Sequence, residues 1–115
     1  MRRRDDKGQQ GIFLGNLGNA YAALGDAHRA ITFHEQNLSI ARELGDRQGE
    51  STASWNLGLQ LAAQGQLAQA AQLMQMCVDY EQEIGHPDAE KYAARLAELR
   101  RRMEAGGEHG ETVLE

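Results

Sequence analysis

Cysteine and proline each occur once in the 115 residues, and aromatic side chains make up only 5% of them. A lone cysteine, Cys77, excludes an internal disulfide and is compatible with a reducing compartment. With Pro87 as the only proline, the long stretch before it can be helical without interruption. Scarce aromatics beside plentiful alanine, leucine and glutamine favour helix over sheet. Positive charge is short as well: the net charge of −5 argues against a nucleic-acid or membrane-surface binder that relies on a broad positive field. No apolar run follows the opening "MRRR" to make a secretion signal. No segment approaches the roughly 20 apolar residues that a bilayer span needs. One modest domain in the cytoplasm is the expectation.

What the chain does contain is a repeat. Slid by 40 residues, "NLGNAYAALGDAHRA" (16–30) lies over "NLGLQLAAQGQLAQA" (56–70) without a gap. Asn16, Leu17 and Gly18 fall on Asn56, Leu57 and Gly58, and Gly25 and Ala30 fall on Gly65 and Ala70. Each unit reads as two helices. In the first, Phe13, Leu17, Ala20, Tyr21 and Leu24 recur at helical spacing as one apolar stripe. Gly25 is suited to ending that helix and Asp26 to capping the next, from about Ala27 to Leu44. Ala30, Ile31, Leu38, Ile40 and Ala41 are its apolar positions. In the second unit Ala53, Leu57 and Leu61 precede a "QGQ" turn, and Leu67, Ala70, Ala71, Met74, Cys77, Val78 and Ile84 follow it.

The glycines within the helices need their own account, because a mid-helix glycine costs about 1 kcal/mol against alanine. A phosphate-cradling loop would need a preceding strand and a G-x-G-x-x-G or G-K-[ST] pattern, and neither is present. Gly18 and Gly58, at equivalent places, instead predict a close crossing by the neighbouring helix, with the small Ala30 and Ala70 fitting the same contact.

Leu14, Leu17, Gly18, Tyr21 and Ala30, with His34 where a large aromatic is usual, resemble the tetratricopeptide repeat signature. Leu57, Gly58 and Ala70 carry it in the second unit, with Ser54, Leu61 and Met74 at the less well matched positions. The 40-residue period is similar to the longer repeats of Pins-type polarity adaptors and of bacterial signalling proteins. The resemblance implies an all-α superhelix of two helical hairpins, residues 7–46 and 47–86. A capping helix follows over 87–105, in which Tyr92, Leu96, Leu99 and Met103 form one stripe and Arg100, Arg101 and Arg102 suit its negative end. Residues 1–6 and 106–115 read as disordered. No polar helix closes the N-terminal end, so unit one is expected to pack on further repeats or on another copy, as the C-terminal end of an array.

Nothing points to catalysis, a metal or a cofactor. "HEQNL" (34–38) starts like H-E-x-x-H, but Leu38 stands where the second histidine is needed. His34 is expected to pack between helices through its ring, and Cys77 to be a small buried hydrophobe. The rival readings are a structural brace at the C-terminal end of a larger regulatory ATPase or sensor, and an enzyme using His34 or Cys77.

The resemblance implies a concave groove lined by the first helices, holding a partner peptide or helix. About 100° per residue sets Trp55 and Leu59 off the core stripe, with Asn56 flanking them. Ile12, Asn16 and Asn19 share the equivalent face of unit one. An exposed tryptophan beside a leucine suits a contact site, and asparagine amides can both donate to and accept from a peptide backbone. Cover by the fifth helix is the alternative for Trp55, and a structural bond to a neighbouring helix or turn the alternative for Asn16 and Asn56. A chaperone-type carboxylate clamp is excluded: Asn19 and Asn56 match its asparagines, but Gly15, Tyr92 and Leu96 occupy the basic positions.

Overall fold

In the computed structural model the backbone is described over residues 2–114 and the side chains over 6–106. Five helices follow one another: α1 (Arg2–Ala23), α2 (Ala27–Leu44), α3 (Arg47–Ala63), α4 (Leu67–Glu83) and α5 (Ala89–Leu114). No strand occurs among the described residues. α1 pairs with α2 and α3 with α4; α2 packs on α3, and α5 on α4. The helices reach further than the sequence predicts. α1 starts inside the segment 1–6, and α5 runs on through most of 106–115. Neither segment contains proline, and glycine alone weakens a helix without removing its hydrogen bonds.

The chain turns at Gly25, Gly45, Gly65 and Gly85, each left-handed, with φ of 81°, 68°, 83° and 66°. A side chain there would strain the backbone. Past two of these turns an aspartate caps the next helix: Asp26 accepts from the Arg29 N–H at 3.1 Å, and Asp46 from the Gly49 N–H at 2.9 Å.

The two in-helix glycines are where the hairpins close. A β-carbon at Gly18 would lie 2.6 Å from the His34 ring, and one at Gly58 would lie 2.6 Å from Met74 Cγ and 3.2 Å from the Ala70 carbonyl oxygen. His34 and Met74 are themselves 40 residues apart, so the contact repeats with the sequence. Ala30 and Ala70 are fully buried.

The core gathers Leu38 of α2, Ala53, Trp55, Leu57 and Leu61 of α3, Ala70, Ala71, Met74, Cys77 and Val78 of α4, and Leu96 and Leu99 of α5. None of the described residues of α1 belongs to it. The stripe expected to be its core face is largely uncovered: Phe13 is 62% and Leu24 78% exposed, and Ala20 is exposed. α1 instead buries Gly11, Leu14 and Gly18 against α2. The reason is position in the stack. Ala53, Leu57 and Leu61, the 40-residue counterparts of Phe13, Leu17 and Tyr21, are buried with Leu38 of α2, whereas among the described residues no helix covers that face of α1. Ile84, expected in the α4 stripe, follows the last residue of that helix and is 51% exposed.

Candidate functional site

Between the first helices of the two hairpins lies a cavity of about 360 Å³. α1 lines it with Gly8, Gly11, Ile12, Gly15, Asn16 and Asn19. The second half of α2 supplies Asn37, Ile40, Ala41 and Leu44, and the start of α3 supplies Gln48, Thr52 and Asn56. Asp46 is the one charged side chain among these, and its carboxylate already accepts the Gly49 N–H. The cavity is therefore a trough of side-chain amides, with the single hydroxyl of Thr52 and the aliphatic Ile40, Ala41 and Leu44 among them. Ile12, 67% exposed, stands at its edge.

Four of the six residues picked out by the sequence, Ile12, Asn16, Asn19 and Asn56, converge on this trough. The other two do not. Trp55 is only 6% exposed: Tyr92 of α5 meets its ring edge-on at 4.5 Å, and the Arg95 guanidinium lies 5.9 Å from its centre. The exposed tryptophan patch is thus absent, because α5 lies over that face of α3. Truncating Trp55 would leave a cavity in the core. Leu59 is half-buried and packs against the same core. The comparison along the chain is direct. Gly15 occupies in α1 the place that Trp55 occupies in α3. The trough is open where the first helix has a glycine and filled where it has an indole.

Sequence reasoning passed over Asn37. A β-carbon at Gly15 would come 2.9 Å from its Nδ2, and one at Gly11 would come 3.1 Å from its Oδ1. The signal was available in Gly8, Gly11 and Gly15, spaced three and four residues apart on one face of α1. The equivalent pair in the second hairpin is Ser51 and Cys77, whose side chains touch: the Ser51 hydroxyl donates to the Cys77 sulfur at 3.1 Å. Burial pushes the Cys77 thiol above its ordinary pKa, which keeps it in the unreactive protonated form. His34 is buried between α1 and α2 as expected.

Stacked helical hairpins of this kind define the class of helical-repeat scaffolds. The profile of the family described as Tetratricopeptide repeat matches residues 9–83, and the chain belongs to that family. Its sequence is similar to G-protein-signaling modulator 1 of Homo sapiens, 47% identical over 55 residues, and to that of Mus musculus, 54% identical over 41. Those matches cover 48% and 36% of this chain but only 8% and 6% of the relatives' length. The TPR domain of Arabidopsis FLU has the same fold, with a TM-score of 0.71, 22% identity and 94% of each chain covered. No helix among the described residues is long and apolar enough to cross a membrane.

Proposed function

We propose that the chain is a non-catalytic interaction module whose α1–α3 trough holds an extended or helical segment of a partner protein. Asn16, Asn19 and Asn56 would exchange hydrogen bonds with that segment, and Ile12 would meet an apolar side chain. The observation that carries this reading is the convergence of those four residues on one open cavity, while the matching face of the second hairpin is filled by Trp55 and Tyr92. Likeness to a G-protein-signaling modulator supports a partner from signalling. Affinity capture tests it, with the Asn16→Ala/Asn56→Ala double variant beside the unmodified chain. Loss of two hydrogen bonds of roughly 1 kcal/mol each weakens binding about tenfold or more. Both asparagines are at least partly exposed, so the thermal midpoint stays within a few degrees. Equal capture by the two chains would count against the trough.

A second reading is favoured by the uncovered stripe of Phe13 and Leu24: α1 packs against another helical hairpin, in a longer array or a second copy. The chain then braces the end of a larger regulatory protein. The two readings use different faces of α1 and are compatible.

A further inference from the structure

His34 is a buried titratable group that the trough does not use. Its ring is 1% exposed and lies against Gly18, where three ring atoms would stand 2.6–2.7 Å from a β-carbon. Nδ1 has no hydrogen-bond partner. In the second hairpin the same place, against Gly58, is taken by Met74. The first hairpin therefore puts an ionisable imidazole where the second puts a thioether, at the tightest point of the crossing.

The packed helices offer an imidazolium little help. Between Gly11 and Ala23 of α1 the only titratable side chain is Tyr21, which stacks on Phe33. On α2, His28 and Glu35 are exposed, while Arg29, Arg42 and Glu43 pair with Asp26, Glu50 and Lys7. On α3, Arg47 and Glu50 pair with Glu83 and Arg42. Burial alone holds His34 below its ordinary pKa, with no carboxylate acting on it. A proton on this ring can be solvated only if the ring reaches water, and Gly18 blocks the way while α1 is seated. α1 is held chiefly by α2 and meets α3 only marginally. One turn along from His34, Asn37 lies beneath Gly11 and Gly15 in the wall of the trough.

We propose that protonation of His34 lifts α1 off α2 and dismantles the trough, so that the first hairpin is an acid-released clamp, while the second has Met74 at that crossing and no imidazole there to release it. The consequence for a partner rests on the interaction reading above; the release of α1 does not. The direction follows from linkage. A histidine whose folded pKa lies below its unfolded value of about 6.5 contributes stability that is complete above that value and is lost as pH falls from there through the folded pKa. One proton raises the opening constant by at most about tenfold per pH unit.

Amide hydrogen exchange on the full chain at pH 7.5, 6.5 and 5.5, expressed as protection factors, tests this without any partner. The expected result is a fall of severalfold to tenfold in α1 between pH 6.5 and 5.5, with α3 and α4 unchanged, and no such fall in His34→Met. An equal fall in His34→Met, or one spread evenly over all helices, overturns the proposal. If His34→Met does not fold, an NMR titration of the unmodified chain decides. A His34 midpoint below about 6.5, with α1 protection lost as His34 takes up its proton, supports it; α1 still protected once His34 is protonated overturns it. Because the readout is exchange in α1, loss of the interaction reading would leave the result intact.

Discussion

Glycine does two opposite things on α1, and the difference is measurable. At Gly18 a β-carbon would collide with the His34 ring, whereas at Gly8 nothing lies within 4 Å. Gly18→Ala is expected to lower stability by about 1–3 kcal/mol through overpacking, although alanine is the better helix former. Gly8→Ala is expected to raise it by up to about 1 kcal/mol. Urea unfolding of the two variants decides; two stabilised proteins would mean that the crossing has room to spare. The role of Gly18 was legible because its cost recurs at Gly58, and a cost met twice in register asks for a contact. Trp55 was not legible in the same way. Angular position on a helix says which face a residue shares, but the path of α5 after Gly85 decides what covers that face.

Among the elements, α2 was the most legible, since its bounds are written in chemistry at both ends: Asp26 caps its start and left-handed Gly45 ends it. α1 was the least. Its stripe obeys the helical period, yet a period marks only an apolar face and does not say which helix covers it. α5 carries the opposite lesson. Leu96 and Leu99 go into the core as their spacing predicts, and the same docking closes over Trp55 through Tyr92. Ending the chain after His86 should therefore expose the indole. The expected outcome is a red-shifted tryptophan emission and a thermal midpoint lower by on the order of 10 °C or more. An unchanged spectrum would show that α5 is not what shelters it.

At the scale of the molecule, the chain is elongated, 59 × 33 × 21 Å, with its core displaced toward α3 and α4. Its two ends differ. α5 turns Glu98, Arg101 and other charged side chains outward, while α1 leaves Phe13 and Leu24 bare. Apolar stripes of this kind mark contacts with other surfaces. The isolated chain is expected to self-associate with rising concentration in sedimentation equilibrium, and Phe13→Glu to return it to a folded monomer. A folded, concentration-independent monomer before the substitution would remove pairing with a second copy from the second reading of its function.

The left-handed glycines recur every 20 residues, and their φ values alternate, 81° and 83° inside the hairpins against 68° and 66° after them. Such a chain keeps time. One residue added within a helix would rotate everything up to the next turn by about 100° and present the wrong side chains inward. A whole extra cassette of two helices, spliced between Gly45 and Asp46, would meet the same corners in the same order. Length is the free variable of this architecture, and phase is the fixed one.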